Sequence, residues 1–390
     1  MRASILRPRR TMLRWFAASA ALLAVSACDL PATGGLGQRG TGRVTVALLV
    51  PQGAADPGVQ QLATSLTNAA QLAVSEAADR GVTVNLRVYD TAGSAGQTAQ
   101  VTSQALADGA QVIVGPLYSQ NANAAGNVAA ARRVPVMTFS NTPAVAGGNV
   151  FLLGNTFDNT AARLVSYARG RGLNRFMVVN GASTAEAAGR DAIVRAVQAQ
   201  GGQVVNTTSF PMSQEGVTAA APSIADNART SGAQAVVLTS DPATALPYIA
   251  RALPDAGLGP NDTQFLGMTR WDQPASAMAL PGLQGGWFTL PDQQAANTFA
   301  NKYAAAYGSA PANVITFLGY DGVAAAAQLA ATGNFTPEAL AAQAGFDGGN
   351  GTFRFMADGT NRRALAVATI QNNSARIIDA APNRLGSAGF

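Results

Sequence analysis

The 390-residue chain has no histidine, one cysteine (Cys28), one lysine (Lys302) and four glutamates, and only 12% of its residues are charged. Each shortage closes a class of chemistry. Without histidine, a Ser-His-Asp relay, a Cys-His pair and a histidine-ligated metal are all excluded. A single cysteine excludes a disulfide within the chain and a thiolate metal site. The glutamates, Glu76, Glu186, Glu215 and Glu338, pair with no aspartate in a motif, and no Gly-Lys-Ser/Thr phosphate loop occurs. Neither catalysis nor a cofactor nor a metal is expected.

The net charge of +5 misleads until it is divided along the chain. Arg2, Arg7, Arg9, Arg10 and Arg14 all precede Cys28, and no acidic residue does, so 21 basic and 21 acidic residues remain beyond it. The excess belongs to the N-terminal segment and does not point to a nucleic-acid partner. Hydrophobic residues make up 48%, enough for more than one core and too many for a disordered chain.

What is present begins with "MLRWFAASAALLAVSACDLP". A basic flank at Arg10 and Arg14 precedes an apolar stretch from Trp15 to Val25, too short to span a bilayer as a helix. Val25-Ser26-Ala27-Cys28 resembles a bacterial lipobox, which implies a signal segment over residues 1–28 and a lipid on Cys28. "RRTML" at Arg9 faintly resembles a twin-arginine signal. Asp29 leaves retention in the inner membrane open beside the outer membrane. Residues 29–42 are Gly-rich and read as a tether.

Beyond the tether, strands and helices alternate. "RVTVALLV" (43–50) is a continuous apolar run, as a strand buried on both faces requires. Helical spacing over 58–79, strands at 82–90, 110–116, 134–140 and 150–155, a helix at 98–108 and a helix after the third strand that runs to Arg132 follow. The rhythm restarts at Thr160 and runs to "TQFLGMT". A strand at 285–291, helices at 293–307 and 313–332, and a hairpin close the chain. The hairpin signal is Thr352 to Phe355, an Asp358-Gly359 turn and a second arm through 364–370. The expected fold class is α/β, with two doubly wound parallel sheets.

Five stretches in order resemble the type 1 periplasmic binding proteins of the Leu/Ile/Val group: "VALLVPQG", "DGAQVIVGPLYSQNA", "VPVMTFSNTP", "ITFLGYDGVAAAAQLA" and "FDGGNGTFRFMADGTNRRALAVATI". The resemblance implies two lobes joined by three crossovers around a cleft. It puts residues 43–155 and about 287–320 in lobe 1, and about 156–286 and 321–385 in lobe 2. The lipobox, the tether and the "GTFRFMADGTNRRALAVATI" ending also resemble the penicillin-binding protein activators of alphaproteobacteria.

By the same resemblance, Ser119 with Leu117 and Tyr118 would hold a ligand carboxylate at a helix start, and Thr142 with Ser140 and Asn141 would form a second loop. On the opposite lobe the receptors' acid for an amino group is missing: "FLGMTRW" offers Thr269, Arg270 and Trp271. Ala188 stands where an aromatic would cover the ligand, and Asp241 is the substitute acid. Residue by residue, Ser119 also reads as a helix cap, Asp241 as a surface turn and Trp271 as a half-buried core residue. The main reading is stimulation of a class A penicillin-binding protein in peptidoglycan synthesis; the alternative is a lipid-anchored receptor that passes an amino acid or a related small anionic solute to an ABC permease. Either acts on the periplasmic side, held to the membrane by lipid alone.

Overall fold

A computed structural model describes residues 42–385. The signal segment, Cys28 and all but the last residue of the tether lie outside the described residues. Five parallel strands form the first sheet: β1 (Arg43–Val50), β2 (Thr83–Asp90), β3 (Val112–Val114), β4 (Val136–Thr138) and β5 (Val150–Leu152), in the order β2-β1-β3-β4-β5. Helices α1 (Pro57–Asp79), α2 (Ala95–Ala107) and α3 (Ser119–Ala130) connect them. The unbroken apolar run of β1 has the expected cause. Val44, Val46, Leu48 and Val50 enter the core on one face of the sheet, and Ala47 and Leu49 the core on the other.

The second sheet contains β6 (Arg175–Gly181), β7 (Gln203–Phe210), β8 (Ala235–Leu238), β9 (Gln264–Gly267) and β10 (Trp287–Pro291), with helices α4 (Phe157–Gly170), α5 (Thr184–Ala199), α6 (Gln214–Thr230) and α7 (Leu246–Asp255). The chain then returns to the first lobe. Helix α8 (Gln293–Tyr307), α9 (Phe317–Ala330), α10 (Pro337–Ala341) and the antiparallel strands β11 (Phe346–Gly348), β12 (Gly351–Phe355) and β13 (Asn361–Arg363) follow. Finally β14 (Leu365–Gln371) and β15 (Ser374–Asp379) extend the second sheet, in the order β15-β14-β10-β9-β8-β6-β7.

Two of the expected boundaries need correction. Residues 287–291 pair in parallel with β9 and antiparallel with β14, so β10 is a second-lobe strand. Residues 321–363 belong to the first lobe, because Phe346, Phe353 and Phe355 pack in the same core as Val46, Leu66 and Leu329. The three crossovers therefore fall after β5, after β10 and at Ala364. The closing hairpin turns at Asp358-Gly359 as expected, but its second arm ends at Arg363; the strand beginning at Leu365 crosses to the other sheet.

Polar side chains stitch the crossovers together. Asn361 Nδ2 donates to the carbonyls of Leu152 (2.7 Å) and Gly154 (2.9 Å), and Asn159 Nδ2 donates to Asn361 Oδ1 at 2.7 Å. Arg363 donates to Leu153 O and, at 2.8 Å, to Asp321 Oδ2. That ion pair is buried, with side chains 4% and 0% exposed. Burial pushes the Asp321 carboxyl up from its ordinary value, while the Arg363 charge and the Gly349 N–H oppose the shift.

Candidate functional site

In an open α/β sheet, the loops leaving two neighbouring strands diverge where the winding direction reverses, and a crevice opens at their C-terminal ends. Here that point lies between β1 and β3, which lead into α1 and α3. A cavity of about 610 Å³ opens there and is bordered by residues of the second lobe and the crossovers. Its size suits a small ligand. A larger groove, about 1130 Å³, runs over the outer edge of the second lobe past Tyr167, Pro281 and Arg376, and only that lobe walls it.

The cavity brings together Leu117, Tyr118, Ser119, Ser140, Asn141, Thr142 and Arg270. Ser119 is not the helix cap. The N-cap of α3 is Tyr118, which makes no side-chain cap bond, and Ser119 is the first helical residue. Helices α1, α2, α4, α5, α6 and α8 are capped by Asp56, Ser94, Thr156, Ser183, Ser213 and Asp292, whereas α3, like α7 and α9, has no side-chain cap. The first intrahelical donor is Ala122 N, bonded to Tyr118 O, so the N–H groups before it are free to meet a ligand. Among the described residues, the Ser119 hydroxyl has no hydrogen-bond partner. Free donors, a hydroxyl and the positive end of the helix dipole together favour an anion.

The turn that delivers Ser119 depends on Gly115, which has φ +88°; an added Cβ would lie 2.2 Å from Leu49 O. Gly115→Ala is expected to lower stability by at least about 1–2 kcal/mol, the ordinary cost of a side chain in that conformation, as read from urea unfolding. The second loop is held by Ser140, whose Oγ accepts from Thr142 N at 3.1 Å.

Three expected residues do not join the cavity. Asp241 is exposed, and its Oδ1 accepts from Ala243 N at 2.8 Å, so it organises a turn. Thr269 donates to Ser240 O at 2.9 Å. Trp271 is 0% exposed and stacks on Phe288 at 6.0 Å in the second-lobe core, more deeply buried than the half-buried position its sequence suggested. Arg270 reaches the cavity already paired, Nε donating to Asp272 Oδ1 at 2.9 Å.

Sequence reasoning missed other parts of the wall, among them Val59, Leu62, Asn155, Phe317, Asn350 and Arg363. The apolar ones carried only a core signal. Arg363, between the faces of Phe317 and Phe353 at 5.1 and 4.8 Å, had the pattern of an ordinary strand arginine. Among the described residues, no cluster of three or more His, Cys, Asp or Glu could hold a metal, and no helix is long and apolar enough to cross a membrane.

No curated protein matches the chain. Among solved structures, one from Rhodospirillum rubrum, provisionally described as a branched-chain amino acid ABC transporter, is 17% identical with a TM-score of 0.70, covering 86% of this chain and 100% of its own. A branched-chain amino acid ABC transporter periplasmic ligand-binding protein from Burkholderia xenovorans is 18% identical with a TM-score of 0.65, covering 87% and 96%. A solute-binding protein from R. palustris in complex with benzoate is 16% identical with a TM-score of 0.55, covering 89% and 99%. At these identities the likeness is one of fold. The family model described as periplasmic binding protein matches residues 43–375, and the chain belongs to that family.

Proposed function

We propose that the protein is the solute receptor of an ABC importer, held on the periplasmic side by lipid on Cys28, and that its cleft binds a small anionic solute. One observation carries this reading: α3 begins without a cap on an interlobe cavity, with the Ser119 hydroxyl unspent. A carboxylate there would accept from Ser119 Oγ and the first N–H groups of α3, with Thr142 at the neighbouring loop. The second lobe would close over it, and an ABC permease would recognise the closed form. Stimulation of a class A penicillin-binding protein stands second, because it calls for a partner surface, whereas the open helix start calls for a ligand.

A thermal-shift screen of small carboxylates tests the first reading, since a ligand that binds only the folded state raises its stability. Hits are expected, and Ser119→Ala should weaken them by about 1 kcal/mol, or roughly fivefold, with an unchanged melting temperature for the free protein. A screen with no hit, together with co-purification of a class A penicillin-binding protein, would reverse the order of the two readings.

A further inference from the structure

We infer that the cleft takes a carboxylate with an apolar body and no ammonium group; this rests on the solute-receptor reading above. Among the described residues, the cavity wall contains two charged side chains, Arg270 and Arg363, and no carboxylate. Both guanidinium groups are already neutralised, Arg270 by Asp272 and Arg363 by Asp321. An ammonium group enclosed there would lose its water without gaining a counter-charge, which is strongly unfavourable.

The acids at the strand ends of the second lobe are engaged elsewhere. Asp241 points to solvent and accepts from Ala243 N. Asp272 holds Arg270. Glu186 is buried outside the wall, with Oε2 accepting from the hydroxyls of Thr239 and Ser240 at 2.9 Å each. Its Oε1 has no partner but sits against Gly181, where a Cβ would approach it to 2.8 Å. The rest of the wall is largely apolar, including Leu62, Phe139, Ile315, Phe317, Leu318 and Leu365. It offers a branched or aromatic body dispersion contacts and burial from water.

Matched pairs of ligands isolate the amino group. Calorimetry on the full chain in detergent would compare 4-methylpentanoate with L-leucine and 3-phenylpropanoate with L-phenylalanine, with 3-phenylpropanamide as the uncharged control. The deaminated acids are expected to bind on the order of 100-fold more tightly than their amino acids, and the amide should bind far more weakly than its acid. Asp241→Asn should leave this order unchanged. An amino acid that binds as tightly as its deaminated partner would overturn the inference and leave the solute-receptor reading standing. If neither acids nor amino acids bind, both fall.

Discussion

Arg363→Met is expected to destabilise the protein by about 3–5 kcal/mol, the usual result of removing one partner from a buried ion pair. The cost arises from what stays behind: Asp321, fully buried, would keep only the Gly349 N–H at 2.7 Å. Its carboxyl is already pushed up by burial and held back by Arg363, so the variant should raise it further. A group whose folded pKa is raised stabilises fully below its unfolded value, about 4 for aspartate. That stability is lost as pH rises through the folded value. The deficit relative to the parent protein should therefore shrink towards pH 4 and widen towards pH 8. Urea unfolding across that range measures it, and a deficit independent of pH would contradict the account. The double variant Asp321→Leu with Arg363→Met should recover part of the loss, because no lone charge remains.

Trp271→Ala should cost a similar amount, about 3–5 kcal/mol, as expected for deleting a fully buried aromatic. The indole stacks on Phe288, and its ring fills the space beside Gly267 and Gly286, where an added Cβ would come within 2.3 and 2.5 Å of it. Its Nε1 has no hydrogen-bond partner, so the loss is one of packing. Trp271→Phe should accordingly cost much less. The decisive comparison is with binding. Below its lowered melting temperature, Trp271→Ala should bind cleft ligands with parental affinity, whereas Ser119→Ala should show the reverse pattern. A selective loss of affinity in the Trp271 variant would return that residue to the cleft.

Much of the fold was legible because its signals are local. A strand covered on both faces must be apolar throughout, and β1 is; the helix over 293–307 lies between an aspartate cap and a glycine, Asp292 and Gly308. The turn at Asp358-Gly359 was legible for the same reason, Gly359 having φ +81°. The turn at Asn372-Asn373, both with positive φ, was passed over, and β15 with it. The lobe of β10 was misassigned because "WFTLP" would read the same in either sheet. Its place is decided by pairing with residues 365–369, far away in sequence.

The candidate site divides along the same line. Ser119 and the loop at Ser140 lie at the ends of β3 and β4, where a local strand-to-turn pattern and the family resemblance together pointed to them. Asp241 lies at such a junction too, but the direction of its side chain is set by a bond to Ala243 N two residues on. For Arg270 and Trp271, adjacent residues were sent to the cleft and to the core by the packing around them.

The sequence by itself determined the absence of histidine chemistry and of a disulfide within the chain, the alternation of strands and helices, and the serine near the start of α3. These follow from composition and from periodicities a few residues long. Only the tertiary structure decided which lobe owns each late segment, that Arg363 and Asp321 meet inside the hinge, and that no carboxylate faces the cavity. Those outcomes depend on contacts between residues tens to hundreds of positions apart, where burial and pairing override what each residue does on its own.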